Sequence, residues 1–389
     1  MSRHSHRLLT LVLPLIAAGL ITLWPFALSQ AQIIHGKRPE LMQGLTFLSW
    51  NVSGESDFTI QEWHFPIMAR AGVAENVELA VSGALMNASG DLYVGDDQVS
   101  GLTDSRIQLS TSLMDDQVLL SGGVSLPTGQ KQLSRDQQGL LAWLSSDFLN
   151  FPLRNPGEGL NLFGQIGTAV PAGQWVVGAS AAAYLAGKYE PYDNGREYQP
   201  GSRLIGNIGT ERIWPANHRL TCDLLVTYST DDKLEGRAIF RDGVQFDTRI
   251  HGLLSLGKGS LEGGLRYILR GKDKQPGADA DLVAEPDKRH GDDFRLHAAG
   301  HMPVAQSISL WISADAKFLA ANDYPKTSPF FADAARVSGL GGGLDFALGP
   351  RSRAGVGVRG WTGSSDGAMG LGRLDLSGIE LIQQFVMTF

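Results

Sequence analysis

Hydrophobic and polar residues alternate along much of this chain. The alternation is regular over residues 77–85, 106–113, 219–228, 244–255, 261–270, 294–302, 308–318 and 379–389. Because successive side chains of a strand point to opposite faces, each run predicts a β-strand with one apolar and one polar face. Most runs approach the roughly nine to eleven residues that a tilted strand needs to cross a bilayer. Strands of soluble sandwiches are nearer to about five or six residues.

The connections between these runs alternate between short and long. Short turns are predicted at residues 71–76, 114–117, 171–174, 215–218, 257–260, 302–306 and 348–352, and the main long connections at 87–101, 128–157, 187–200, 230–243, 272–291 and 322–332. Short turns on one side and long loops on the other are typical of bacterial outer-membrane barrels. Seven short turns, with both chain ends on their side, predict sixteen strands. Fourteen and twelve strands remain open, because residues 45–52, 58–70 and the last two strands alternate less regularly.

Lipid gives a physical reason for such a sheet to close. An open sheet edge would leave unpaired backbone groups in the membrane, each costing several kcal/mol. The pattern therefore predicts an all-β protein over residues 32–389, a closed antiparallel transmembrane β-barrel of the bacterial outer membrane with about 12–16 strands. Outer-membrane lipid would then be a partner of the chain. The alternative of two soluble β domains has no Pro- or Ser-rich linker to separate them.

The first 31 residues are predicted to be a secretory signal peptide. Arg3 and Arg7 form a basic start, an apolar run covers residues 8–28, and Ser29-Gln30-Ala31 supplies the small residues of a cleavage site. This leader predicts export, and together with the barrel pattern it predicts a location in the cell outer membrane. Because the apolar run is long for a signal, an uncleaved membrane anchor is the alternative.

Charge and cysteine content exclude some partners and one source of stability. The chain carries a formal charge of −7, and the leader holds two arginines and no acid, so residues 32–389 carry −9. A chain of this charge has no basic footprint for a nucleic acid partner. Cys222 is the single cysteine, so no internal disulfide stabilises the exported protein.

The last predicted strand ends on an aromatic residue. One face carries Ile379, Leu381, Phe385, Met387 and Phe389, and the other carries Glu380, Gln384 and Thr388. This strand resembles the closing strand of bacterial outer-membrane barrels, in which the terminal aromatic belongs to the signal read by the barrel-assembly machinery. The resemblance implies that Phe389 is an assembly signal and that this machinery is a partner. The alternative is an ordinary closing strand of a soluble sheet.

Two further stretches resemble known families. Residues 122–129 read Gly-Gly-Val-Ser-Leu-Pro-Thr-Gly, which is similar to the meta-pathway phenol-degradation group of outer-membrane proteins. The resemblance implies a channel for aromatic or other small hydrophobic compounds, with no catalytic residues to carry over. Residues 189–192 and 198–201 add a similarity to the fatty-acid transporter barrels, but residues 32–43 are too short for much of a plug. Physically, Pro127 ends ladder pairing where its strand leaves the sheet.

The polar faces of the central and later strands carry many charges. A cation facing lipid at the bilayer midplane costs about 2–4 kcal/mol, so these residues are predicted to face the barrel interior. The candidate lumen-lining residues are Asp223, Asp247, Arg249, His251, Glu262, Arg266, Arg270, Arg295, His297, His301, Asp315 and Lys317. They form either the charged wall of a selective pore or a salt-bridge network in a closed interior. Arg249, Arg266, Arg270 and Arg295 lie on three successive strands and are candidates for a basic ladder.

The longest connection contains an apolar stretch at residues 139–151. Leu140, Trp143, Leu144, Phe148 and Phe151 are the candidate mouth-loop residues, and most of them follow a helical stripe. One interpretation is an apolar flap over the mouth or folded into the lumen. The other is a loop helix packed on the barrel rim.

No enzymatic or cofactor motif accompanies these patterns. His297 and His301 share a strand face but lie about 13 Å apart at ~3.3 Å per residue, so they cannot chelate one metal ion without other strands. The sequence has no His-Glu-x-x-His, nucleophile elbow or phosphate loop. We therefore expect no catalytic site, no metal and no cofactor. The predicted function is passive uptake of small, hydrophobic or aromatic solutes; a structural or adhesive barrel and a barrel hydrolase are the alternatives.

Overall fold

The chain forms a closed barrel of sixteen antiparallel strands. The computed structural model describes residues 38–54, 57–92, 95–191, 195–279, 281–328, 331–365 and 372–389, so the predicted signal peptide lies outside the described residues. Strands β1 to β8 are Glu40–Ser53, Phe58–Ala74, Val77–Leu92, Gly95–Leu102 with Ser105–Leu113, Val118–Leu126, Asn161–Ala172, Trp175–Leu185 and Arg203–Ile213. Strands β9 to β16 are Arg219–Ser229, Gln245–Leu256, Gly259–Arg270, Asp293–Ala305, Ile308–Leu319, Ala335–Gly349, Ser352–Ser365 and Leu374–Thr388.

Strand β4 consists of two segments separated by Thr103 and Asp104. The first segment pairs with residues 85–92 of β3 and the second with residues 77–82, so together they occupy one position in the barrel. The sheet of seventeen segments therefore has sixteen strands. The barrel closes where β1 pairs with β16, from Glu40 opposite Thr388 to Ser53 opposite Asp375. The predicted closure and the higher strand count are confirmed.

Short turns lie at one end of the barrel. They cover residues 75–76, 114–117, 173–174, 214–218, 257–258, 306–307 and 350–351. The start of β1 and the end of β16 also lie at this end. The other end carries the connections 54–57, 93–94, 127–160, 186–202, 230–244, 271–292, 320–334 and 366–373. In outer-membrane barrels the short turns are periplasmic. We use inner end for the turn side and outer end for the loop side.

The prediction of a long connection at residues 87–101 is wrong. Strand β3 continues to Leu92 and β4 begins at Gly95. The segment is polar because Asn87, Ser89 and Ser100 lie on its outward face. Its inward residues Ala88, Leu92 and Val99 are buried in the main apolar cluster. The hairpin extends above the lipid, so its polar outward side chains contact water and not hydrocarbon.

The outward faces of the strands form an apolar belt. Its exposed side chains include Leu109, Leu162, Ile166, Leu204, Ile208, Leu224, Ile250, Leu296, Ile312, Leu340, Val358 and Leu381. Polar residues of the same strands point inward, as the alternation predicts. No helix in the described part of the chain is long and apolar enough to cross a membrane.

One connection carries a helix of its own. Helix α1, Arg135–Leu144, lies in the connection 127–160. Ser134 and Gln137 form a capping box, in which the Gln137 amide donates to Ser134 Oγ and the Ser134 amide donates to Gln137 Oε1. This arrangement satisfies two backbone donors that a helix start otherwise leaves free.

Candidate functional site

Cations form a row across the inner wall of four neighbouring strands. Arg249 of β10 lies opposite Arg266 of β11, Arg266 lies opposite Arg295 of β12, and Arg295 lies opposite Lys317 of β13. At the other end of the row, Asp223 of β9 lies opposite Arg249 in the strand register. The predicted ladder residue Arg270 lies on β11 nearer the outer end, four positions beyond Arg266. Strand register therefore brings together cations that are distant in sequence.

Carboxylates partly neutralise this row from within the same wall. Asp247 Oδ2 lies 2.6 Å from Arg249 Nη2 and 2.7 Å from Arg266 Nη2. Arg295 donates from Nε to Asp293 Oδ1 at 3.0 Å. Sequence reasoning missed Asp293, although it precedes Arg295 by two positions and therefore shares its inward face. The wall is thus a network of both signs in which the arginines remain partly accessible to water.

The connection 127–160 folds into the outer half of the barrel. Leu140, Trp143, Leu144, Phe148 and Phe151 are all buried, together with inward residues of β1 to β4 and β14 to β16. Trp143 packs against Phe58 with ring centroids 4.8 Å apart. The indole of Trp50 donates to the carbonyl of Leu149 at 2.7 Å. The apolar stretch therefore faces the inner surface of the wall. Its helix packs against the β3–β4 hairpin at the outer end, whereas the residues that follow, such as Leu149, are folded into the lumen.

We call the connection 127–160 the inward loop. Its opposite side meets the charged wall that β10 to β13 form. Asp147 Oδ2 lies 2.6 Å from Arg270 Nη2, and Asp147 Oδ1 lies 2.7 Å from Arg154 Nη1. Lys317 donates to Asn150 Oδ1 at 3.1 Å. Burial alone would raise the pKa of Asp147, but Arg270 and Arg154 outweigh burial and hold that pKa well below its usual range. The inward loop thus crosses part of the lumen. It contacts the apolar wall of β1 to β4 and β14 to β16 on one side and the charged wall of β10 to β13 on the other.

Both ends of the inward loop are fixed at the break in β4. Asp104 accepts from the amide of Gly129 at 2.9 Å through Oδ1 and from the amide of Glu158 at 2.7 Å through Oδ2. Thr128 donates to the carbonyl of Thr103 at 2.7 Å and accepts from the amide of Ser105 at 2.8 Å. A Cβ on Gly129 would lie 3.0 Å from the Asp104 amide and would overlap the Pro156 carbonyl. The Leu-Pro-Thr-Gly signature is therefore the segment that starts the inward loop.

Histidines and carboxylates meet on the inner wall nearer the turn side. Glu262 lies 3.8 Å from His251, 3.6 Å from His297 and 3.8 Å from His301. His297 Nδ1 is 2.8 Å from Asp315, which also lies 3.2 Å from Arg359. Arg359 continues the network to Glu380 at 2.9 Å. Among the described residues, no group of three or more histidines, cysteines or acids has the arrangement of a metal site.

Arginines and aromatic rings line the outer end of a second wall, formed by β4 to β8. Arg106 lies over the ring of Phe163, 4.7 Å from its centroid, and Arg203 lies over the ring of Tyr184 at 5.0 Å. Phe163 and Tyr184 are directly paired across β6 and β7. We call Arg106, Phe163, Tyr184 and Arg203 the aromatic shelf. Phe163 can lie against the wall because Gly123 has no side chain: a Cβ there would be 2.9 Å from Phe163 Cε2.

The predicted assembly residue lies at the seam of the barrel. Phe389 donates its amide to the carbonyl of Pro39 at 2.9 Å, and its side chain is exposed. The backbone of this residue thus extends the pairing of β1 with β16. Its role as an assembly signal stays a prediction.

Solved outer-membrane proteins share this fold. No family model and no curated protein matches the chain, so the resemblance of residues 122–129 to the phenol-degradation group stays a prediction. OprB of Pseudomonas putida is 9% identical, with a TM-score of 0.51 over 90% of this chain and 93% of that one. OccK7 of Pseudomonas aeruginosa is 12% identical, with a TM-score of 0.46 over 90% and 100%. OprD of Pseudomonas aeruginosa is 10% identical, with a TM-score of 0.46 over 95% and 98%. The closed sixteen-strand barrel, together with its likeness to OprB, therefore shows the fold of a bacterial outer-membrane β-barrel.

Proposed function

We propose that this barrel is a channel for passive uptake of small anionic solutes, among which aromatic carboxylates are favoured. One observation carries the proposal: the inward loop packs its apolar side on the wall of β1 to β4 and β14 to β16. The inward side chains of other strands stay accessible to water, and Arg106, Gln165 and Arg203 are exposed. The passage would run between the inward loop and these polar walls.

The charges along this passage favour anions. Arg106 and Arg203 form no salt bridge with any described residue, and each contacts an aromatic ring instead. Arg249, Arg266 and Arg295 have carboxylate partners but keep part of their surface in water. Exposed guanidinium groups attract anions, and low-dielectric walls strengthen that attraction. Carboxylates such as Asp147 and Asp247 limit this preference, and so does Glu158, which accepts a hydrogen bond from the Tyr184 hydroxyl at 3.3 Å.

The apolar residues of the inward loop are buried, and this position changes the class of solute that we expect. Leu140, Leu144 and Phe148 are buried against the wall, so they offer no apolar surface to a molecule entering the mouth. The aromatic shelf provides a different reason to expect aromatic solutes. A guanidinium stacked on a ring keeps a second face for another ring and N–H groups for a carboxylate. An aromatic carboxylate uses both features, whereas a neutral hydrocarbon uses neither.

Conductance and ion selectivity of the purified barrel in a planar bilayer test the channel. The wild-type protein should conduct, and its reversal potential in a salt gradient should indicate a preference for anions. Replacing Arg106 and Arg203 with glutamate should shift selectivity toward cations, because both side chains are exposed and neither has a salt-bridge partner among the described residues. Arg237→Glu, in the exposed connection 230–244, is the control for added negative charge. An electrically silent wild-type barrel would favour a structural barrel without transport.

The aromatic preference has its own test. Benzoate and cyclohexanecarboxylate have the same charge and similar size, but only benzoate has a π face. Each cation–π contact is worth about 0.5–1 kcal/mol at an exposed site, so benzoate should permeate or block about two- to fivefold better. Arg106→Lys with Arg203→Lys keeps the charge but loses the planar guanidinium that stacks on a ring, so it should reduce this preference. If both probes behave alike in the wild type, the channel is not selective for aromatic anions.

A further inference from the structure

An arginine on the lipid-facing surface of the barrel lies between two tryptophans. Arg212 is near the inner end of β8, and its strand partner on β7 is Trp175. The Arg212 guanidinium carbon lies 4.6 Å from the Trp214 ring centroid and 5.5 Å from that of Trp175. The two rings are 6.5 Å apart and inclined by 66°. Neither contact involves the lumen.

The position of Arg212 follows from the strand alternation. Glu211 faces inward and approaches Arg219 at 2.9 Å, so Arg212 faces outward. The same outward surface carries Val177 and Ile208 toward the middle of the membrane, and both are exposed. Arg212 therefore lies below an apolar belt, at the height where tryptophans border the headgroups of the inner leaflet.

The charge of Arg212 is only partly satisfied by protein groups. Nη2 donates to Gln174 Oε1 in the adjacent turn. The buried Nε has no hydrogen-bond partner in the described part of the chain, and Arg212 makes no salt bridge there. An arginine at the surface of a membrane is attracted to the negative groups of the lipid headgroups. At the headgroup level of a bilayer, the anions within reach are phospholipid phosphates.

We infer that Arg212, Trp175, Trp214 and Gln174 bind the phosphate of one phospholipid of the inner leaflet. Arginine presents planar N–H donors that suit phosphate oxygens. The tryptophan rings hold the guanidinium in place and border the glycerol region, where one end of an indole meets hydrocarbon and the other meets water. The inference does not depend on transport, because the site lies on the outside of the wall.

Native mass spectrometry of the full barrel in mild detergent tests the site. Phosphatidylglycerol and diacylglycerol serve as probes with and without a phosphate. Wild-type protein should retain one phosphatidylglycerol in preference to diacylglycerol. Arg212→Gln should weaken retention about tenfold or more, since hydrogen bonds to charged groups are worth about 1.5–3 kcal/mol. Arg336→Gln is the matched control, because Arg336 also faces outward, bonds to Ser364 at 3.2 Å and lies at the opposite end of the barrel.

Each result supports or overturns the inference. Equal retention by wild type and Arg212→Gln, or equal loss in Arg336→Gln, would overturn it. Glycerol phosphate serves as the probe for a free anion; if it competes as well as phosphatidylglycerol, the site binds phosphate but not lipid. Trp175→Leu with Trp214→Leu should also weaken retention, and unchanged retention in this variant would overturn the assignment of the two rings to the site. Heat-modifiable gel migration shows that each variant is folded.

Discussion

Asp147 of the inward loop forms a 2.6 Å ion pair with Arg270 of the barrel wall. The two residues are 123 positions apart in the chain. Their contact, with that of Asn150 and Lys317, holds the loop against the charged wall, while its leucines and aromatic residues hold it against the apolar wall. The width of the lumen therefore depends on a polar and an apolar attachment of one segment.

Asp147→Asn should loosen the inward loop without unfolding the barrel. The substitution removes the charge that Arg270 and Arg154 both contact, and such charge-assisted bonds are worth about 1.5–3 kcal/mol. We expect larger current fluctuations and a larger mean conductance in single-channel recordings. Asp136→Asn is the matched control, since Asp136 is an exposed acid in α1 of the same loop. Identical recordings for wild type and Asp147→Asn would show that apolar packing alone fixes the loop.

The Asp147 ion pair should persist in mild acid. The folded-state pKa of Asp147 lies below its usual range, despite the opposing effect of burial. Its stabilisation is therefore present above the unfolded-state pKa of about 3.9 and is lost as pH falls through the lower folded-state pKa. The difference in unfolding free energy between wild type and Asp147→Asn should be constant from about pH 5 to 8 and shrink only in stronger acid. A difference that vanishes near neutral pH would contradict the assigned direction.

Asp104→Ala should release both ends of the inward loop. The carboxylate accepts from the amides of Gly129 and Glu158, and two lost bonds to a charged group would cost about 3 kcal/mol or more locally. Limited trypsin digestion should then cleave after Lys131, Arg135 or Arg154 faster than in wild type. Asp91→Ala, at an exposed position of neighbouring β3, should leave digestion unchanged. Resistance of the Asp104 variant would show that the clamp is dispensable.

Arg266→Gln should destabilise the wall because it leaves Asp247 with one arginine. The Asp247 side chain is 8% exposed and is contacted by Arg249 and Arg266. Loss of one partner of a buried charge should lower the free energy of unfolding by about 1–3 kcal/mol. Denaturant unfolding measures the change, and Asp247→Asn with Arg266→Gln should recover part of it. Full additivity of the two substitutions would mean that the pair is not coupled.

The strand pattern by itself determined much of the barrel. Alternation and the spacing of seven turns predicted the closed sheet, the strand number at the top of the range, and the inward face of residues such as Asp247, Arg266 and Lys317. These features are local, because a strand of period two assigns each side chain to one face and lipid excludes charge from the other. The hairpin at residues 87–101 was missed, since its outward face lies in water and is polar like a loop.

Contacts between distant segments were decided only by the tertiary structure. Register placed Arg249, Arg266, Arg295 and Lys317 side by side, and the fold of the inward loop brought Asp147 to Arg270. The apolar stripe of Leu140 and Leu144 predicted a buried helix face, but an inner barrel wall and an outer rim present similar apolar partners. Gly123 and Phe163 show the same limit: neither residue indicates that one makes room for the other until their strands pair. Such contacts depend on which strands are neighbours and how they are aligned, and no local periodicity carries that information.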